Sequence, residues 1–357
     1  MKTAFLITID VETKSHGDPR QDIFGFVPGH EQSYGIELMM DMLERHRMRG
    51  TFFLNAYEVA KHGEEFVARA ARMIQSRGHD LELHTHPLPM YRYYGMSKAP
   101  LEQQVAILER GISLIEGWTG RKVRAHRAGA FAANADTLRA VEAVGLSADC
   151  SLSPGSRVPA PLISELGPSN LARHVDGVWE IPVTYYDQVR VGPWRSNRIL
   201  DIEASSLPEI KRVTRWAIRH HLPTVCLLMH SFSFCRHGRP DYRAIKRFSA
   251  LLAWLGEQED IDIATVEQAC GKLDATAAPR PEPGVPCTGI VLTWGRALAS
   301  WNDGWKNLLV SVSSIVWLAM LVLALCILGM HLRRHSLPRH TPSDVTRPSR
   351  ANRSVLK

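Results

Sequence analysis

Cysteine is scarce and unpatterned in this chain. There are six in 357 residues (Cys150, Cys226, Cys235, Cys270, Cys287 and Cys326), with no CxxC pair and no regular spacing. That excludes a disulfide framework as the organising device and leaves buried free thiols as the expectation. The body also lacks a surplus of either charge. The formal net charge is +7, but seven Lys or Arg between His331 and Lys357 face the single Asp344, which leaves about +1 for residues 1–330. A body this close to neutrality offers no nucleic-acid surface. No export signal precedes the first apolar segment: Met1-Lys2-Thr3 leads straight into a run of about six apolar or small residues that ends at Asp10. No internal repeat is visible.

A hydrophobic fraction of 45% and a charged fraction of 22% are ordinary for a globular protein, and the length suits one large α/β domain with appendages. The expected organisation is a catalytic-sized domain over 1–275, a Pro-rich linker and juxtamembrane segment over 276–307, a transmembrane helix over 308–330 and a basic tail over 331–357. Leu308 to Met330 holds 23 residues without a charge. At roughly 1.5 Å per residue that is about 34 Å, enough for the hydrocarbon core. Trp301 and Trp305 precede it, as interfacial aromatics do. The basic tail favours a cytoplasmic C-terminus, which would put the domain outside, whereas the missing signal favours a cytoplasmic domain. The missing signal carries more weight, so the expectation is a single-pass membrane protein with its large domain in the cytoplasm.

Within 1–275, short apolar strands alternate with helical patterns. Strands are expected at Ala4–Asp10, Gly50–Leu54, Asp80–Leu83, Val123–Arg127, Leu146–Asp149, Val178–Pro182, Thr224–Met229 and Asp262–Thr265. Helices are expected at Tyr34–His46, Glu64–Gln75, Pro100–Trp118, Asp136–Val144 (closed by Gly145), Leu207–His221 and Tyr242–Gly256. This β–α alternation predicts a parallel, barrel-like α/β fold with its active site at the carboxyl ends of the strands. Two segments at such ends carry chemistry. Asp10-Val11-Glu12 closes the first strand and His84-Thr85-His86 the third. Residues i and i+2 of a strand point to one face, so each segment can aim two side chains at one pocket. Carboxylate oxygen and imidazole nitrogen are the ligands of a hydrolytic divalent metal.

The order of segments resembles the polysaccharide deacetylases, the NodB-homology fold of carbohydrate esterase family four, over about residues 3–270. Thr8-Ile9-Asp10-Val11-Glu12 is similar to that family's first motif, Gly50-Thr51-Phe52-Phe53-Leu54 to its second strand and Gly78-His79-Asp80-Leu81-Glu82-Leu83-His84-Thr85-His86 to its histidine motif. His126-Arg127-Ala128-Gly129 and Leu227-Leu228-Met229-His230-Ser231 are similar to its later Arg and His motifs. The resemblance implies a distorted barrel with fewer than eight repeats and an amide-hydrolysing site. It implies Asp10 as catalytic base, His84 as first metal histidine, Arg127 as the cation that holds the base, and His230 as general acid.

Three departures mark a divergent subgroup. Val11 stands where the family has a second Asp, so Glu12 becomes the candidate ligand. Leu88 stands where the second histidine belongs, so His86 becomes its replacement. Ala128-Gly129-Ala130 stands where Pro and an aromatic are usual. The metal carboxylate is thus Glu12 or Asp10. Zn2+ suits such a set best, and Co2+, Ni2+ or Mn2+ would serve.

The expected function is metal-dependent N-deacetylation of a sugar or polysaccharide at the membrane, such as a lipid-linked sugar or nascent exopolysaccharide. Tyr91 and Trp179 are candidates to stack on a sugar ring. Asp149 is a candidate to orient a histidine, and His79 and His126 read as structural. Two alternatives stay open: a related hydrolase of small amides, and a non-catalytic membrane glycan-binding protein.

Overall fold

A computed structural model of the chain describes residues 2–155, 161–276, 281–299 and 327. The described residues up to Arg296 belong to one compact unit; of a second, Ala297–Lys357, only 297–299 and 327 are described.

The long first strand β1 (Thr3–Val11) is the spine of a curled parallel sheet. Beyond it in one direction lie β2 (Thr51–Asn55), β3 (Asp80–Thr85), β4 (Ala125–Ala128) and β5 (Ala148–Asp149). The edge is formed by β6 (Arg173–Val175), antiparallel to β7 (Val178–Glu180), which pairs with β5. A separate antiparallel hairpin follows, made of β8 (Tyr185–Val191) and β9 (Trp194–Ile199). On its other side β1 pairs along its length with β10 (Thr224–His230). The short pair β11 (Cys235–Arg236) and β12 (Arg239–Pro240) comes next, and β13 (Ile261–Ala264) pairs with the first half of β1. Segments 183–184 and 200–202 bond to Cys226 and Leu228 of β10, so the gap between the two sheet flanks is partly bridged. The result is an open, distorted (β/α) barrel, as the alternation of elements predicts.

Period-two alternation explains the two cores. On β1, Phe5, Ile7, Ile9 and Val11 are fully buried and belong to the large layer shared with the helices. These helices include α1 (Pro19–Asp22), α2 (Ile36–Arg45), α3 (Val59–His62), α4 (Glu64–Ser76), α5 (Leu101–Thr119) and α6 (Ala135–Ala143). The chain continues through α7 (Pro161–Leu166), α8 (Leu207–Arg219), α9 (Tyr242–Gly256) and α10 (Val266–Cys270) to α11 (Ile290–Ala299). Ala4 and Leu6 turn the other way into a second cluster with Phe53, Ala125, Ala148, Cys226 and Leu228, which fills the barrel interior. Above that plug the inward positions become polar: Thr8 and Asp10 on β1, His84 on β3, Arg127 on β4 and His230 on β10.

Two findings bear on the ends of the chain. Residues past the Pro-rich stretch lie on the domain. Asp187 donates its N–H to Pro286 O and accepts from Thr288 N–H (2.8 and 2.9 Å), and Arg296 Nε lies 3.1 Å from the buried Glu209 carboxylate. The second finding is a correction. Among the described residues no helix is long and apolar enough to cross a membrane, which overturns the expected single-pass localisation. The physical reason lies in the helices themselves. The longest, α5, has 19 residues but carries Glu102, Glu109, Arg110 and Glu116, and α11, with 10 residues, spans only about 15 Å. The apolar run 308–330 lies outside the described residues apart from Ile327. Cys150, Cys226, Cys235, Cys270 and Cys287 are free thiols, in line with the sequence reading.

Cutting the chain at residue 276 removes the Pro286, Thr288 and Arg296 contacts and leaves Glu209 buried without its cation. That truncation should cost about 2 kcal/mol or more relative to a chain ending at 299, read as a lower midpoint in urea denaturation.

Candidate active site

Strand register assembles the site. Asp10 is level with His230 across the β1–β10 ladder, and His84 is level with Arg127 across β3–β4. Asp10 and Arg127 form an ion pair, with Arg127 Nη1 donating to Asp10 Oδ1 at 2.7 Å, and both side chains are buried. The rest of the guanidinium is fully engaged. Nη2 donates to Thr8 Oγ1 (3.0 Å), Nε donates to Cys150 O (3.1 Å), and Cζ lies over the Phe53 ring, 4.3 Å from its centroid. Arg127 is thus the hub of the upper barrel, and Asp10 is held in one orientation by a charge that cannot move.

One residue beyond the end of β1, Glu12 meets both histidines. Its Oε2 lies 2.7 Å from His86 Nε2 and 3.5 Å from His84 Nε2. Donor atoms of Glu12, His84 and His86 all fall within 4.8 Å of one another, the geometry of a candidate cation site. His84 is buried, and its Nδ1 bonds Arg127 O at 3.0 Å. A backbone carbonyl can only accept, so Nδ1 carries the proton and the Nε2 lone pair is directed at the site, as a metal histidine requires. The donor set of two imidazoles and one carboxylate fits a divalent ion, and the carboxylate in it is Glu12, with Asp10 engaged by Arg127.

Electrostatics bind these groups together. Burial alone would push the Glu12 carboxyl up, but its hydrogen bonds to His84 and His86 hold it well below the usual range. His86 shows the converse: burial opposes its charged form, and Glu12 outweighs that and raises it. The backbone around Glu12 is clamped too. Ser231 Oγ accepts from Glu12 N–H (3.3 Å) and donates to Glu12 O (3.1 Å), while Thr13 donates through N–H and hydroxyl to the buried Glu58 carboxylate (2.6 and 2.8 Å).

His230 stands 3.9 Å from Glu12 Oε1 through its Nε2. Its Nδ1 meets Glu203 Oε1 at 2.8 Å, and Ser233 Oγ donates to the same oxygen at 2.7 Å. Phe232 stacks on the imidazole (centroids 4.7 Å apart, 11° between planes), with Lys14 Nζ 4.2 Å over its ring. Burial would lower the imidazole pKa, but the Glu203 carboxylate beside it, helped by Asp10 and Glu12, pushes it up to about 10. Glu203 escaped the sequence reading. It follows β9 in a stretch without periodicity, and only the Asp201-Ile202-Glu203 spacing, which repeats the form of Asp10-Val11-Glu12, hinted at it.

The remaining candidates fall outside this cluster. Tyr91 is half-buried with its ring 6.1 Å from Tyr57. Trp179 packs against the interior plug and 5.1 Å from His174. Asp149 does hold a histidine, but it is His126 (2.6 Å), whose other nitrogen bonds Thr85 Oγ1 (2.9 Å) between the two site histidines. His79 bonds Gly50 N–H (3.2 Å) below the site.

Residues 33–148 match the family described as Polysaccharide deacetylase. That match spans about a third of the chain. A crystal structure of a Mycobacterium smegmatis protein assigned as a polysaccharide deacetylase superposes with a TM-score of 0.50 at 19% identity, covering 79% of this chain and 95% of that one. At that identity the likeness speaks for the fold. A family 4 carbohydrate esterase from Streptomyces lividans, solved with acetate, gives a TM-score of 0.37 at 15% identity over 71% of this chain and 90% of its own. A CE4-family pseudoenzyme from Bacillus anthracis gives 0.42 at 14% over 77% and 66%. No curated protein matches the chain.

Removing the hub cation should be severe. Arg127→Met leaves Asp10 buried and unpaired, and a loss of about 3–5 kcal/mol in unfolding free energy is expected by chemical denaturation.

Proposed function

We propose that this polysaccharide deacetylase domain is a metal-dependent hydrolase that removes N-acetyl groups from a sugar or polysaccharide. The observation that carries this reading is the convergence of Glu12, His84 and His86 between two fixed acid–base groups, the Asp10–Arg127 pair and the His230–Glu203 pair. A divalent cation, with Zn2+ the best match and Co2+, Ni2+ or Mn2+ as substitutes, would be held by Glu12, His84 and His86. When bound it supplies Lewis acidity toward the amide carbonyl and lowers the pKa of water from about 15.7 toward 7.

This chain's own residues perform the proton transfers. Asp10, fixed by Arg127, takes the proton of the attacking water. His230, kept cationic by Glu203, gives its proton to the amide nitrogen as the C–N bond breaks, so that acetate and a free amine leave. Tyr91, in the segment that leaves His86, is the aromatic assigned to the sugar ring.

Asp10→Asn and His84→Ala should each lower acetate release from N-acetylated oligosaccharides by about 100-fold or more with the fold retained by circular dichroism. Unchanged turnover in either would refute the reading. Turnover confined to small amides would move the substrate to that class.

The acid role fixes a pH signature. His230 must be protonated, so kcat/KM falls as pH rises through its pKa. Glu203→Gln removes the main cause of the elevated value, and the alkaline limb should move to lower pH by about one unit or more.

A further inference from the structure

We infer that Gly129 is a positioning residue whose missing side chain creates the seat for His86, so that a histidine only two residues after His84 can reach Glu12. This rests on the reading of Glu12, His84 and His86 as metal ligands. A Cβ placed on Gly129 would lie 2.4 Å from His86 Cε1 and 2.5 Å from both its Nδ1 and Nε2. Those distances are far inside contact, and the nearest atoms met are all of one ring. A methyl group at 129 and the present His86 ring cannot coexist, so one of them must give way.

The floor cannot retreat. Ala128 N–H is tied to Ser151 Oγ (2.9 Å), and Arg127 before it is anchored in the buried ion pair. After Gly129 the chain makes a tight turn in which two non-glycine residues, Ala130 (φ 52°) and Phe131 (φ 56°), take left-handed conformations. Such conformations are strained for residues with a side chain and persist only where the surroundings enforce them. Here the enforcement is visible. Ala132 N–H donates to Gly129 O (3.0 Å), Ser97 N–H donates to Ala132 O (2.8 Å), and Phe131 is buried in the interior plug. The imidazole, with its side chain 32% exposed, is the part free to move, and its movement takes Nε2 away from Glu12.

Gly129 itself is not among the residues with positive φ. An alanine there adopts the native backbone without strain and restricts the unfolded chain, so the folded-state loss expected is confined to the His86–Glu12 contact.

The test uses the full chain as wild type, Gly129→Ala, His86→Ala and the double variant. Each is titrated with Zn2+ against a chromophoric chelator and with Co2+ by visible absorption, and the metal-free melting temperature is recorded. Gly129→Ala is expected to weaken Zn2+ binding about 10-fold or more and to change the Co2+ spectrum, with a metal-free melting temperature no lower than that of His86→Ala, which loses the same contact to Glu12. In the His86→Ala background it should add no further loss. Wild-type affinity in Gly129→Ala, an equal further loss once His86 is absent, or a metal-free chain that melts several degrees below His86→Ala would each overturn the inference. A wild-type chain that binds neither ion would instead remove the underlying reading of a metal site.

Discussion

The buried pair of Arg127 and Asp10 is the constraint on which the upper barrel depends. A guanidinium with no exposure is expensive to bury, and it is tolerable here only because every arm is bound: to Asp10, Thr8, the Cys150 carbonyl and the Phe53 face. That one residue ties β1, β2, β4 and the segment after β5 together at a single level. Its own carbonyl accepts from His84 Nδ1 and so sets the tautomer of a histidine on β3. The same group therefore fixes Asp10, orients His84 and closes the polar layer above the hydrophobic plug.

Asp10 and Glu12 consequently divide their work. Two carboxylates two residues apart could compete for one cation. Arg127 claims Asp10 below, and the backbone clamps from Ser231 and Glu58 carry Glu12 to the histidines above. Glu203 sets up the counterpart across the cleft, holding His230 as a cation with a carboxylate that is itself held by Ser233. The proposed acid and base are separated by their environments: Asp10 lies against a permanent cation and His230 against an anion.

Much of this was legible in the sequence because strands alternate strictly. Asp10 and His84 follow from period two, whereas Glu12 and His86 lie one residue past the ends of β1 and β3, and the helix starts and stops around them follow from periodicity and glycine punctuation. Glu203 was not legible. It lies between β9 and α8, where no pattern marks which way a side chain points, and its partner is 27 residues on. The β8–β9 hairpin was missed as well, although Gly192-Pro193 at its turn and the β-branched and aromatic residues of Tyr185–Val191 were present as signals. The seat under His86 is a tertiary contact between two loops and has no signature beyond a glycine. The apolar run at 308–330 shows the opposite risk: a strong local pattern, read in isolation, was extended to a localisation that the described helices do not support.

X-ray absorption spectroscopy of the Zn2+-loaded full chain is the most direct measurement of the central claim, that Glu12, His84 and His86 together form the cation site while Asp10 stays with Arg127. The account predicts one ion per chain with two imidazole ligands, losing one imidazole in His84→Ala and a carboxylate oxygen in Glu12→Gln. An ion that keeps both imidazoles in His84→Ala, or a coordination shell unaltered in Glu12→Gln, would contradict it.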